Sequence, residues 1–383
     1  MKGACIHNMK KHEIGVYYFP NYHLDQRNEK WHGRGWTEWE LVKRAEPKYP
    51  GHYQPRVPSD GFEDESDPSV MEKKIRMAHD SGITSFIYDW YWYNDGPYLN
   101  GALERGFLEA QNTNDLKFAL MWANHDWVDI HPATKCGEHS VLKQGVVTPE
   151  AFESMCRYII ENYFTRENYW RVDGGLYFSI YMPTNLAAGF GGIKNARKML
   201  DKFRKMTAEA GLGKLHLNVI IWGKQILPGE KPIEDINLFT EQMGFDSITT
   251  YVWAHQYMPS DRLVIDYNEM AEVCTGLYGE LSEKYKLPYY PNVTVGWDSS
   301  PRTIQSDIFE VSDYPFFPIV ENNTPENFKK ALEKARDYMD GADKKILTVN
   351  AWNEWTEGSY LEPDKKYGMG YLDAIREVFG SNE

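Results

Sequence analysis

Eight short, almost continuously apolar runs recur along the chain, each separated from the next by an amphipathic stretch. This alternation limits the possible folds more than any other feature. The runs are IGVYYFP (14–20), ITSFIYDWYW (83–92), KFALMWAN (117–124), GLYFSIYMP (175–183), HLNVIIWG (216–223), SITTYVW (247–253), PYYPNVTVGW (288–297) and KILTVNAW (345–352). Each is rich in β-branched and aromatic residues and lacks a polar face, the pattern of a parallel strand covered on both sides. Between them lie helices with readable starts. Thr148-Pro149 sets an N-cap and a first-turn proline ahead of Phe152, Met155, Cys156, Ile159, Ile160 and Tyr163 at helical spacing. Thr324-Pro325 repeats the device before Phe328, Ala331, Leu332, Ala335 and Met339. Further helices are expected at 69–81, 98–112, 192–210, 265–286 and 367–379, whereas 224–246 reads poorly as one. Eight strands alternating with seven or eight helices predict an α/β chain folded as a (β/α)8 TIM barrel; the alternative is an open, doubly wound sheet.

No Gly/Ser linker, low-complexity tract or short repeat marks a boundary, so one barrel domain over residues 1–383 is expected. One insertion stands out. Residues 21–68 join the first strand to its helix, far more than the ~2–6 residues of an ordinary βα loop, and in a barrel they belong to the catalytic rim. With 56 acidic against 42 basic side chains the net charge is -14, which repels a phosphate backbone and gives no attraction to anionic lipid. Nucleic acid and membrane are therefore not expected partners, while oligomeric state is not legible. Cys5, Cys136, Cys156 and Cys274 are scattered without a C-x-x-C pair and read as free or buried thiols. The sequons at Asn292 and Asn322 are weak signals. The start, MKGACIHNMKKHEIGVYYF, has no apolar stretch of signal length, which predicts a cytoplasmic chain, or a periplasmic or secreted one if a signal has been removed.

In a barrel the C-terminal strand ends and the loops after them converge on one cleft. Here they carry Tyr17, Tyr18 and Asn21, then Asp89 and Trp92, then Trp122, Asn124 and His125. Later ends carry Trp222, Tyr251, Trp253, Trp297, Trp352 and Asn353, and the long first loop adds Trp36 and Glu38. Aromatic faces stack on the C–H faces of pyranose rings while amides and acids bind hydroxyls, so these sixteen positions with the acids below form a candidate carbohydrate site. Any single tryptophan among them serves equally well as a cap on the barrel core.

The sharpest signal is NAWNEWTEG (350–358), which sets Glu354 and Glu357 three residues apart among tryptophans. On a straight strand such positions face opposite ways, so both acids serve one site only if the chain turns just after Trp352. Gly358 would help that turn. Paired carboxylates divide glycosidic cleavage between an acid and a base or nucleophile. His125-Asp126 has no third ligand at sensible spacing, and neither a Gly-rich phosphate cradle nor a D-x-D pair stands at a strand end, so no metal and no cofactor is expected.

IGVYYFPNYH, GWTEWELVKRAEPKYPGHYQPRVP, GITSFIYDWYWY, MWANHDW and NAWNEWTEGSYLEPD together resemble the WbsX-like proteins, a group labelled glycosyltransferases and related to glycoside hydrolase family 99, the endo-α-mannosidases and endo-mannanases. The likeness to the WbsX-like group covers nearly the whole chain. Family 99 is matched mainly in the first strand, the barrel order and the terminal NEWTEG. That likeness implies a retaining hydrolase, endo-acting on an oligo- or polysaccharide. Glu354 would deprotonate the sugar's own 2-hydroxyl to give a 1,2-anhydro intermediate, and Glu357 would alternate as acid and base. Thr356 stands where family 99 commonly carries histidine. A glycosyltransferase of polysaccharide biosynthesis and a non-catalytic carbohydrate-binding barrel are the competing expectations.

Overall fold

The computed structural model describes residues 12–135, 139–227 and 230–380. Cys5 and Cys136 lie outside the described residues; Cys156 and Cys274 are buried free thiols. All eight expected strands are present: β1 (Glu13–Tyr18), β2 (Ser85–Tyr93), β3 (Lys117–Trp122), β4 (Gly175–Ile180), β5 (Lys214–Ile220), β6 (Ser247–Thr249), β7 (Tyr289–Tyr290 with Asn292–Thr294) and β8 (Ile346–Asn350). They run parallel in chain order, and β8 returns to β1 with Ile14 opposite Leu347 and Val16 opposite Val349.

Closure depends on β7, which breaks at Pro291. Its first piece pairs with β6 and its second with β8. Proline has no N–H to give a ladder, and the strand switches neighbours at the residue that could not have donated. The Pro291 carbonyl still accepts from the Thr348 amide at 2.9 Å. The result is a nearly closed (β/α)8 barrel.

The helices α1 (Pro68–Asp80), α2 (Pro149–Ile159), α3 (Ile193–Glu209), α4 (Ile236–Met243), α5 (Tyr267–Lys284), α6 (Pro325–Asp340) and α7 (Gly370–Phe379) follow β1, β3, β4, β5, β6, β7 and β8. Thr148 and Thr324 cap α2 and α6 by accepting from the Ala151 and Asn327 amides, each cap contributing about 1 kcal/mol. Two expectations are corrected. The segment 224–246 does hold a helix, α4, whose eight residues give too few turns for a clear stripe, although its cap Asp235 accepts from the Leu238 amide at 2.9 Å. The helix expected over 98–112 is a π-helical turn, Ala102–Phe107. There Gly106 lies so close to the first loop that a Cβ would sit 2.2 Å from the Glu65 carbonyl oxygen. Among the described residues no helix is long and apolar enough to cross a membrane.

The long first loop contains two short helices, Gln26–His32 and Trp39–Lys43, and is tied to the far end of the chain by buried ions. Asp298, after β7, is fully buried and accepts from His52 Nε2 at 2.8 Å, Gln54 Nε2 at 2.7 Å and Arg56 Nη2 at 3.4 Å. Arg56 Nη1 reaches the Gly358 carbonyl at 3.0 Å. Burial alone would raise the Asp298 pKa; the His52 hydrogen bond and the Arg56 charge overcome it and hold the carboxyl well below the usual carboxylate range. A depressed folded pKa stabilises the fold above the unfolded value and loses that contribution as pH falls toward the folded one. Asp298→Asn is therefore expected to cost roughly 3–5 kcal/mol in urea unfolding at neutral pH. The gap to wild type should narrow below about pH 4; a gap that stays constant into acid would refute the assignment.

Candidate active site

The chain does turn beyond β8. Asn353–Glu354 pairs antiparallel with Ser359–Tyr360, and Trp355–Glu357 forms a single 3-10 turn between them. Gly358 closes it at φ 64°, and a Cβ there would come 2.7 Å from the Asp298 Cβ. The hairpin is anchored from below by its own non-acidic residues. Trp352 and Trp355 donate their indole N–H groups to Glu362 at 2.9 and 2.7 Å, and Trp355 stacks on Tyr360 at 3.8 Å. Asn353 exchanges hydrogen bonds with both backbone groups of Phe19 and donates to Glu65 at 2.8 Å. With these contacts filled, the hairpin's two glutamates point the other way, into a pocket at the C-terminal mouth of the barrel.

Glu354 and Glu357 meet at one guanidinium. Arg302, buried in the loop after β7, donates to Glu357 Oε1 at 2.5 Å, to Glu354 Oε2 at 3.2 Å and, through Nε, to Glu38 Oε1 at 3.1 Å. Tyr314 adds a hydroxyl to Glu357 Oε1 at 2.6 Å. Glu38 is fixed in turn by Thr356 Oγ1 and Asn21 Nδ2, each at 2.5 Å. Burial would push the Glu38 carboxyl up, but the charge and hydrogen bond of Arg302 together with its other partners, Thr356 among them, outweigh it and the carboxyl falls below its ordinary range. Three carboxyls around one cation leave a dry site with excess negative charge, which opposes ionisation of the whole group. The Glu354 carboxyl is pushed well up by burial and by the charge of Glu357, against the pull of Arg302.

Strand alternation decides which expected residues reach this pocket. On β2, Asp89 lines it and Tyr91 beside it does too, while Trp92 faces outward and donates to the Ala151 carbonyl. On β3, Met121 faces in, and Trp122 faces out with its N–H on the Trp92 carbonyl. His125, Tyr251 and Trp297 also line the pocket. Asp89 accepts from Tyr251 at 2.7 Å through Oδ2, its Oδ1 has no partner, and burial pushes its carboxyl well up. Tyr17 lies one layer below, edge-on to Tyr251 at 4.7 Å, and Tyr18 packs on Tyr88 outside the barrel. Asn124 spends both amide atoms on the Met182 backbone, and the Trp253 indole donates to the Asn292 carbonyl. Trp222 stacks on Tyr181 at 5.3 Å and Trp36 lies tilted against His32 at 4.3 Å, neither on the pocket wall. Asn21, Glu38, Trp352 and Asn353 support the wall without forming it.

Sequence reasoning missed Arg302, Tyr314, Trp127 and His131, all of which line the pocket. Trp127 and His131 stack at 5.4 Å with 7° between planes, and burial pushes the His131 imidazole down to about 3, which leaves it neutral. Only the tryptophan carried a sequence signal, in ANHDW. Among the described residues no group of three or more His, Cys, Asp or Glu side chains is placed to hold a metal ion.

Comparison with known proteins adds relatives to this geometry. The family model described as Glycosyltransferase WbsX matches residues 14–375. Two curated proteins from strains of Xanthomonas campestris pv. campestris, both called uncharacterized protein WxcX, are 26% identical over 367 residues, which cover 95% of this chain and 49% of theirs. The chain thus spans about half the length of the curated relatives it matches. Among solved structures, one described as a glycoside hydrolase-like protein superposes with a TM-score of 0.61 at 14% identity, covering 97% of this chain and 95% of that one. The GH99 endo-alpha-mannosidase from Bacteroides thetaiotaomicron superposes with a TM-score of 0.56 at 14% identity over 96% of each chain. At such identities the likeness establishes the barrel fold.

The turn makes its own prediction. Gly358→Ala combines a left-handed backbone with a clash against Asp298, and is expected to cost about 1–3 kcal/mol and lower the melting temperature. An unchanged melting curve would show that the hairpin does not need this geometry.

Proposed function

We propose, from the premise that this chain belongs to the family described as Glycosyltransferase WbsX, that it hydrolyses glycosidic bonds in an oligo- or polysaccharide with retention of configuration. The observation carrying this reading is that Glu354 and Glu357, which share the buried Arg302 guanidinium with Glu38, both line an aromatic pocket. A cleavage that must protonate a leaving oxygen while removing a proton elsewhere needs two carboxyls in different protonation states, and Arg302 facing three of them supplies unequal surroundings.

In the sequence of steps implied by the family resemblance, Glu354 takes the proton of the sugar 2-hydroxyl as O2 bonds to C1. The C1–O glycosidic bond breaks, and the leaving oxygen takes the proton of Glu357. Water then attacks C1 of the 1,2-anhydro sugar, giving its proton to Glu357, while O2 recovers a proton from Glu354. Two inversions at C1 give net retention. Burial and the charge of Glu357 hold the Glu354 carboxyl well up, and a 2-hydroxyl that binds by donating to it favours the ionised form that takes the proton. The activity named for the Bacteroides endo-alpha-mannosidase supports an endo-acting mannosidase-like chemistry without fixing the sugar.

The family's name favours a second reading, transfer from an activated donor. Incubation with nucleotide sugars and acceptor glycans separates the two: release of nucleoside diphosphate supports transfer, and new reducing ends without a donor support hydrolysis. For the hydrolase, Glu357→Gln is expected to lower kcat by about 10²–10⁴-fold while glycan binding persists. Undiminished turnover in that variant would defeat the assignment.

A further inference from the structure

Arg302 is bonded to Glu38, Glu354 and Glu357, and a fourth acid at the pocket is left without a cation. Asp89, on β2 opposite Met121 of β3, is 2% exposed on the pocket wall. Its Oδ2 accepts from the Tyr251 hydroxyl at 2.7 Å, and its Oδ1 has no partner. The groups around it bring no positive charge. Tyr17 from β1, Tyr91 from β2, and Tyr181 and Tyr251 from just beyond β4 and β6 are phenols whose pKa burial raises. The last hairpin sets Glu354 and Glu357 near it. On the same wall the loop after β3 adds His125, whose pKa burial lowers, and Asp126, which accepts from the Gly145 amide at 2.7 Å.

An ionised carboxylate can only accept, so an ionised Asp89 would hold charge on a buried oxygen that no donor meets, beside the charge of Glu357. A carboxylic acid divides the two oxygens. Oδ2 remains the acceptor that Tyr251 uses, and Oδ1 becomes an O–H donor with no protein acceptor, free for a ligand. We infer that Asp89 binds substrate as a carboxylic acid, donating its Oδ1 proton in a hydrogen bond to an oxygen of the glycan. The role rests on the glycosidase reading above. There the two glutamates move protons at the reacting centre, whereas Asp89 transfers none and holds the sugar in place. Burial and the charge of Glu357 both favour the protonated form, against the Tyr251 hydrogen bond. The donor is therefore present below the folded pKa and lost as pH rises through it.

The acid can be read without ligand. A carbon-13 NMR titration of the Asp89 side-chain carboxyl, assigned by its loss in Asp89→Asn, is expected to find it protonated at neutral pH; a carboxyl already ionised there would overturn the inference. Binding of methyl mannosides, glucosides and galactosides and of manno-oligosaccharides is then measured by calorimetry. Asp89→Ala removes the donor and is expected to weaken the best-bound member about tenfold. Asp89→Asn puts an N–H where the O–H stood and keeps an acceptor for Tyr251, so it should recover binding to within about threefold of wild type. Its affinity relative to wild type should rise with pH, because only the acid ionises. No loss in the Ala variant, an Asn variant as weak as the Ala variant, or binding of no member by wild type would overturn the role. Reducing-end release by the wild-type protein is assayed alongside. Its absence with the order of binding intact would count against hydrolysis and leave Asp89 standing, while release with a weak Asn variant would count against Asp89 alone.

Discussion

The candidate site depends on one buried guanidinium. Arg302 is 6% exposed and is held between a carboxylate of the first loop and two of the last hairpin, so it joins segments more than 300 residues apart in sequence at a single point. A buried charge that lost any of these partners would be expensive, and this expense makes the arrangement specific. Around it the remaining contacts act in series. Asn21 and Thr356 fix Glu38, Glu38 fixes Arg302, and Arg302 with Tyr314 fixes Glu357.

The long first loop explains its length in these terms. It delivers Glu38 to the guanidinium, Glu65 to the hairpin's Asn353, and His52, Gln54 and Arg56 to Asp298 directly behind Glu357. A loop of ordinary size could not reach all three places. The barrel supplies a rigid rim, and the insertion converts a bend in the last strand into a hairpin of fixed direction.

The barrel was legible because its strands are buried on both faces and carry their signal in unbroken apolar runs. The acids were legible because two of them sat in an aromatic setting at a strand end. Their surroundings were less so. Trp92 and Trp122 look like sugar platforms in one dimension, yet each is the neighbour of an inward residue, Tyr91 and Met121, and strand alternation turns it toward the helices. Attention to period two would have separated them. Arg302 and Tyr314 lie in the irregular stretch after β7, where no periodicity gives direction, and only the folded chain brings them to Glu357. Asn124 and Asn353, chosen as hydroxyl binders, instead satisfy backbone groups that the barrel's ends leave open.

The most direct measurement is a carbon-13 NMR titration of the Glu354 side-chain carboxyl, in the wild-type protein and in Arg302→Gln. The account predicts ionisation well above the ordinary glutamate value of about 4.3 in wild type, and higher still once the guanidinium that favours the charged form is gone. A wild-type midpoint at the ordinary value, unmoved by the substitution, would contradict it.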